Sequence, residues 1–588
     1  MTLLYPRSLT PALFILLVVG LASNCTNSIQ EPDLVLINGK VVTLDTAFTI
    51  ANAIAIKGDI ILAVGENKDI KALAGTATKI IDLKGKCVIP GLIDAHTHLD
   101  GAALSELHQT IPAVTNVGDV LNAVSEKTKT LPPGDWIEIP KLFSTRLTEL
   151  RWPSRKELDE VAPNHPVFLD GSFAAMVNSY ALNISGITRN TQHEGVLMDD
   201  LNGEPTGVIR HSAFDLLHKN PDPVLTPEQK SDAIVDMMQR YNQVGITSVN
   251  IRSVGQESYS FFQDLAQQGR STVRVNLTFF QSDIGINKGD SLSVVSEKIR
   301  NLGFNTGYGD EWVKVGPLKW QIDGGILTGT AFLREPWAKY FPDRVKEVYG
   351  ITEPEYYGVP SIAKEDLATL ITLAEELNWD FTAHSTGGAG VDLMLAAYEQ
   401  VRTTNPKTEQ RFSIIHGNFF TPESIEKMHR LGVYADMQPA WFYKDADAMH
   451  YLLGDKRIQT FHPYKSMFEA GVMVNGGSDH MVKFDSYTSI NPYNPFLAMW
   501  SVITRKTERG SVIVPDEAIT REQALSMYTI NNANLSSEED IKGTLEPGKL
   551  ADLVVISKDL FTCPVDDIKD IQVEMTLAGG TIVYQKDL

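Results

Sequence analysis

Cysteine is scarce in this chain: 588 residues contain three, Cys25, Cys87 and Cys563. So few, so widely spaced, exclude a thiolate metal cluster and a scaffold built on disulfides. Basic side chains are outnumbered, with 52 Lys and Arg against 73 Asp and Glu and a formal net charge of −21. No basic surface dominates such a chain, which argues against a nucleic-acid partner; a small-molecule substrate is expected, though the charge itself says little about it. Long low-complexity tracts are absent, and 43% hydrophobic with 21% charged residues is the composition of a folded protein. The length suffices for a large barrel plus one or two smaller domains.

Apolar runs long enough to span a bilayer are also missing. Ala12–Ala22 is nearly all apolar but too short for a span, and with Arg7 before it the segment fits a secretory signal. Ser23-Asn24-Cys25 follows and resembles a bacterial lipoprotein signal, whose cysteine becomes the lipidated N-terminus. Asn24 departs from the Gly, Ala or Ser usual at that place, and cleavage after Ala22 is the alternative. Residues 1–25 are therefore read as a targeting segment, and the protein as exported to the periplasm or cell envelope, with a lipid anchor through Cys25 as one form. In an oxidising compartment Cys87 and Cys563 could pair; two buried thiols are the other reading.

What is present is a series of strand signals. Leu34–Ile37, Lys40–Leu44, Ala53–Ile56, Ile60–Val64 and Ile80–Leu83 are short apolar runs, and Asn38-Gly39 between the first two predicts a hairpin. Ala551–Ile556, Val573–Leu577 and Thr581–Tyr584 repeat the pattern at the other end, with Gly579-Gly580 before the last. Neither end has strands enough to bury a core alone. Residues 26–87 and 540–588 are therefore expected to form one composite β-sandwich domain.

Between them strand and helix alternate, the mark of a parallel α/β arrangement. Eight candidate strands run over 88–96, 246–251, 275–280, 318–323, 381–385, 412–417, 433–438 and 473–479. They predict a TIM-like (β/α)₈ barrel over residues 88–539. The gap after the first strand is too long for one helix, so an inserted subdomain is expected at about 100–230.

Metal-ligating residue types fall where those strands end. His96 and His98 close the first strand and, one residue apart, share a face. Lys319 lies in the fourth strand, His384 ends the fifth, His416 the sixth and Asp479 the eighth. Active sites of such barrels lie at the C-terminal strand ends, and imidazole with carboxylate suits Zn²⁺ or a similar divalent ion.

These residues resemble the amidohydrolase superfamily, and within it the YtcJ-like branch that includes N-substituted formamide deformylases. Val88-Ile-Pro-Gly-Leu-Ile-Asp-Ala-His-Thr-His98 is similar to the superfamily's first-strand signature. Asn202-Gly-Glu-Pro-Thr-Gly207, Lys319-Trp-Gln-Ile-Asp-Gly-Gly325 and Ser478-Asp479 resemble elements of the branch, and Gly543–Leu553 resembles the C-terminal signature. Asp170-Gly171-Ser172 lacks the branch's histidine after Asp-Gly, His384-Ser-Thr is followed by Gly387-Gly388, and His480 occupies a variable position. The resemblance implies one or two metals: His96, His98 and Asp479 holding one, His384 and His416 the other. It further implies a carbamate on Lys319, formed with CO₂, bridging them; an unmodified lysine paired with Asp323 is the alternative.

The implied chemistry is hydrolysis of an amide- or formamide-type C–N bond by metal-bound hydroxide, with Asp479 as proton acceptor and then donor. Ester, lactone or cyclic-imine (deaminase-type) hydrolysis would use the same ligands. A non-catalytic envelope binding protein is the reading from a different class. Aromatics after strands four and seven, Trp337 and Trp441, are expected to contact substrate, and His480 is a further candidate beside Asp479.

Overall fold

Parallel strands of a barrel are buried on both faces, and eight segments here are so placed, with polar residues such as Asn250, Arg252 and Asn475 buried among the apolar ones. In the computed structural model, which describes residues 31–107, 110–199, 201–219, 224–286, 290–406 and 409–586, these are β1 (Leu92–Thr97), β2 (Ile246–Val254), β3 (Arg274–Phe280), β4 (Val313–Gln321), β5 (Phe381–Ser385), β6 (Phe412–His416), β7 (Val433–Met437) and β8 (Val474–Gly476). They pair in chain order in one parallel sheet. Its two edges meet beyond β8, where Thr97 bridges His480 in parallel register. Asp479 N–H donates to His96 O at 2.7 Å, and His98 N–H donates to His480 O at 2.9 Å. Gly477 permits this closure, since a Cβ there would lie 2.6 Å from the His96 nitrogen.

Helices such as Pro227–Gln243, Lys364–Glu376 and Gly388–Thr404 cover the outside of the ring. Their apolar faces and the outward sides of the strands share one large core that includes Met237, Ile371, Met394 and Phe381. The chain is therefore an α/β barrel of the expected kind.

The insert follows β1. Strands Ile137–Ile139, Val167–Asp170, Ala174–Val177, Val196–Met198 and Pro205–Arg210 form a five-stranded sheet flanked by helices Val117–Thr128 and Arg155–Val161. The Asn202–Gly207 motif belongs to this sheet. Gly207 has φ +98°, and a Cβ there would meet Val177 O at 2.5 Å, so the motif serves strand pairing and does not reach the site.

Both chain ends contribute to the remaining sheets. Leu553–Ile556 pairs antiparallel with Cys87–Pro90 in a six-stranded sheet, and a four-stranded sheet is built from residues 34–82 alone. Leu36, Ile54 and Val88 from one end pack with Leu545, Leu553 and Leu577 from the other in one core. Gly579 and Gly580, both at positive φ, make the tight turn into the last strand.

The Asn38-Gly39 expectation was wrong. Leu34–Ile37 pairs in the four-stranded sheet and Lys40–Val42 in the six-stranded one, so the dipeptide carries the chain between sheets. Asn38 is left-handed at φ +55°, which a crossover corner needs as much as a hairpin does. Cys87 and Cys563 are both free thiols, Cys87 buried and Cys563 half-buried, so they do not pair. The signal segment and Cys25 lie outside the described residues; among those described, no helix is long and apolar enough to cross a membrane.

The C-terminal signature is anchored to the barrel by a buried ion pair. Arg274 of β3 donates to both oxygens of Asp552, at 2.8 and 3.1 Å, and Gly579 N–H adds a third bond at 2.7 Å. Asp552→Ala strands the guanidinium, so the midpoint of urea unfolding should fall by the equivalent of about 3–5 kcal/mol; a loss below about 1 kcal/mol would show that the pair does not hold the two parts together.

Candidate metal centre

At the C-terminal mouth of the barrel His96, His98, Lys319, His384, His416 and Asp479 converge. Five of them line one cavity of about 210 Å³, and His96 lies buried beside Asp479. His96 Nε2 is 3.2 Å and His98 Nε2 3.4 Å from Asp479 Oδ1. Donors held about 2.1 Å from a tetrahedral ion stand roughly 3.4 Å apart, so this trio has the spacing of a metal site. Neither ring nitrogen of His96 has a hydrogen-bond partner although both are buried. Buried polar atoms are rarely left so, and a cation would satisfy Nε2.

His384 and His416 face the same space with rings 4.7 Å apart. Each has a ring nitrogen engaged elsewhere. His384 Nε2 donates to Gly324 O at 3.1 Å, which leaves Nδ1 with its lone pair. His416 Nδ1 lies 2.6 Å from Gln438 Oε1. The Gln438 amide N–H₂ donates to the carbonyl and Oδ1 of Asp436, so Oε1 accepts and His416 presents a bare Nε2. Asp436 in turn receives Arg252 at 2.8 Å in a fully buried pair below the site.

Burial sets the charge states. It pushes His96 and His416 well below the usual imidazole range, and takes His384 down to about 4 with the Lys319 charge adding to the effect. Neutral imidazoles are what a divalent ion needs. Burial would raise Asp479, but the His96, His98 and His416 rings around it hold its carboxyl well below the carboxylate range. Burial brings Lys319 down to about 8. Its Nζ reaches Ser253 Oγ at 3.5 Å. Asp323, the partner weighed for it, instead accepts backbone N–H bonds from Phe332, Thr386 and Gly387 at 2.7–2.9 Å.

The aromatic expectations divide. Trp441 lines the cavity, stacks on His416 at 4.3 Å and donates Nε1–H to Asp479 Oδ2 at 3.1 Å. Trp337 does not reach the cavity: it is fully buried in the core that backs the cavity wall and includes Trp441, with Nε1–H on Ala331 O. A side chain's distance along the chain from a strand end does not say which way its loop turns. His480 also misses the cavity. Its Nε2 donates to Lys483 O at 2.7 Å and its Nδ1 accepts from Tyr241 O–H at 2.9 Å, on the side away from the mouth.

Several site residues carried no sequence signal. The insert lays Phe173 on His384 at 5.1 Å and brings Phe143 and Lys141 to the cavity wall, and no spacing connects them to the barrel; Ser172 beside them is the exception, standing where the resembling branch has a histidine after Asp-Gly. Asn491 holds the Asp479 carbonyl at 2.7 Å from a loop twelve residues on. Gln438 was findable, because it directly follows β7, where a polar residue faces the mouth.

With this geometry in hand, the amidohydrolase family profile matches residues 79–584. Similar proteins include N-substituted formamide deformylase of Arthrobacter pascens, 28% identical over 95% of this chain and 99% of that one. YtcJ of Bacillus subtilis (strain 168) is 27% identical over 91% and 96% of the two chains. Among solved structures, an uncharacterized metal-dependent hydrolase from Pyrococcus horikoshii OT3 superposes with a TM-score of 0.67 at 21% identity, covering 91% of this chain and 99% of that one. At that identity the likeness shows the fold.

The Gln438 bridge can be tested directly. Gln438→Leu frees the His416 ring to turn or change tautomer, so affinity for added Zn²⁺ should fall about 10–100-fold in chelator competition. Unchanged affinity in a variant of normal melting temperature would mean that His416 is not oriented through Gln438.

Proposed function

Because the chain belongs to the amidohydrolase family, we propose that it is a metal-dependent hydrolase of small amides or formamides, cleaving the C–N bond. The observation that carries this is the trio His96, His98 and Asp479 at ligand spacing, facing His384, His416 and Lys319 across one cavity. A formamide deformylase among the full-length relatives supports the bond type. His96, His98 and Asp479 would hold one divalent ion, Zn²⁺ by donor type, and His384 with His416 a second. When bound, the metal supplies a Lewis acid for the substrate carbonyl and lowers the pKa of water.

The remaining work falls to this chain's own groups. The Asp479 carboxylate, ionised and steered by Trp441 Nε1–H, takes a proton from the attacking water. It then returns that proton to the leaving nitrogen as the C–N bond breaks, which gives the amine and the acid. Phe173, tilted against His384, and Trp441, stacked on His416, exclude water from the ligands and offer an apolar wall to the substrate.

Lys319 belongs to the same reading. Partly neutral near pH 8, its Nζ lone pair can attack CO₂, lose one proton and become a carbamate, whose two oxygens could serve both ions. The apolar run at Ala12–Ala22 supports export to the cell envelope, with lipidation at Cys25 as an accompanying reading; fractionation and mass of the mature N-terminus test both.

Chelation should abolish turnover of an N-formyl amine, and Zn²⁺ or Mn²⁺ should restore it; full activity in metal-free protein would overturn the proposal. Asp479→Asn keeps volume and one donor oxygen but cannot take the proton. A folded protein slowed at least about a hundredfold is expected, and near-normal kcat would move the base elsewhere. Lys319→Ala should lose one metal equivalent by elemental analysis and recover part of its rate with short carboxylic acids. Full metal content and rate would leave the lysine structural.

A further inference from the structure

The insert places one cation in the wall of the cavity, and nothing in the hydrolytic scheme uses it. Lys141 and Lys319 are the two lysines that line the space, against the single carboxylate Asp479. Lys319 lies among the ligands; Lys141 comes from the loop after strand Ile137–Ile139. Its backbone is left-handed at φ +55°, as is that of Ser172 at φ +71°. Such strain in non-glycine residues gathers where a side chain must be aimed.

The aim is held from two sides. Lys141 Nζ donates to Ser172 Oγ at 3.0 Å. Asp170 Oδ2 lies 3.7 Å away, close enough to balance charge but outside hydrogen-bond reach. Asp170 is otherwise engaged: its Oδ1 accepts Ser172 N–H at 2.7 Å, which fixes the turn. An ammonium has three N–H donors, so two remain for a ligand. The next residue, Phe173, is wedged between His384, at 5.1 Å, and Gly325, where a Cβ would meet the Phe173 ring at 2.8 Å. The turn that presents Ser172 and Lys141 is thereby seated directly on the metal centre.

We propose that Lys141 and Ser172 form a carboxylate subsite, so that the preferred substrates are small N-acyl or N-formyl compounds bearing an anionic group away from the bond that is cut. The proposal rests on the hydrolase reading and deepens it. Lys141 is the lysine of the lining that stands apart from the ligands, and with Asp170 beyond hydrogen-bond reach its remaining donors can take an anion, while the aromatic wall between the subsite and the ligands suits the apolar stem that joins the two ends. Loss of the charge would cost mostly binding, because Lys141 lies outside the reacting atoms.

The test uses the metal-loaded full chain. N-formyl ω-amino acids of increasing length are compared with N-formyl alkylamines of equal length. At one length the acid should have a kcat/KM roughly tenfold or more above its neutral partner, the size of one charge-assisted hydrogen bond, with most of the difference in KM. Lys141→Met should bring the ratio to about one, and Lys141→Glu should turn the preference toward N-formyl diamines. Binding of the corresponding simple carboxylates, followed by calorimetry, should weaken in parallel in Lys141→Met. Equal turnover of acids and neutral partners at every length, or a preference that survives Lys141→Met, would overturn the subsite. Carboxylate binding that depends on Lys141 without turnover of any N-formyl compound would instead keep the subsite and overturn the hydrolase reading.

Discussion

The site depends on one act of closure. A parallel sheet of eight strands leaves two edges, and here they are joined past the strand ends by backbone bonds between His96 and Asp479 and between His98 and His480. Closing the ring and assembling the first three candidate ligands are therefore the same event. Asp94 makes the junction rigid: its buried Oδ1 accepts from both His96 N–H and Ser478 N–H at 2.9 Å. Burial raises its pKa to about 7, a cost the fold carries to keep β1 and the segment after β8 in register. Gly477 and the left-handed backbone of Asp479, at φ +56°, belong to the same constraint.

Beneath the mouth, buried polar groups are arranged in series. Arg252 holds Asp436, Asp436 holds Gln438, and Gln438 fixes the tautomer of His416. A buried ion pair contributes little to stability once desolvation is counted, but it orients whatever is bonded to it. The same logic applies to Asp323, whose carboxylate gathers the backbone N–H of Phe332 beyond β4 and those of Thr386 and Gly387 beyond β5, and so shapes the segment carrying Gly324, the acceptor for His384. Orientation of imidazoles is what low-dielectric surroundings make decisive, since they cannot be corrected by solvent.

The insert completes the cavity. A barrel mouth alone would leave His384 and Lys319 open to water; Phe143 and Phe173 close one side, and Trp441 on its helix closes another. Chemistry thus sits on rigid strand ends, while the wall that meets the rest of a substrate comes from a separate sheet packed around its own core.

The sequence by itself determined the barrel, the insert, the joining of the chain ends and the six residues at the mouth. Each rests on local periodicity or on a side chain at a strand end, and strand geometry leaves such residues little choice of direction. Asn38-Gly39 shows the limit: its residues dictate a left-handed corner, but which sheet the next strand enters is settled by the core that Val41 and Val88 share with Leu553. Trp337 and Trp441 make the same point: both are aromatic, lie beyond strand ends and share one core, yet only Trp441 reaches the cavity and stacks on His416. Only tertiary structure brought Phe173, Lys141 and Asn491 to the site, because contacts between elements far apart in the chain leave no spacing to read. For His480, alternation along a continuing strand would already turn the side chain away from Asp479; the structure puts the two on opposite sides of the wall through a left-handed turn at Asp479.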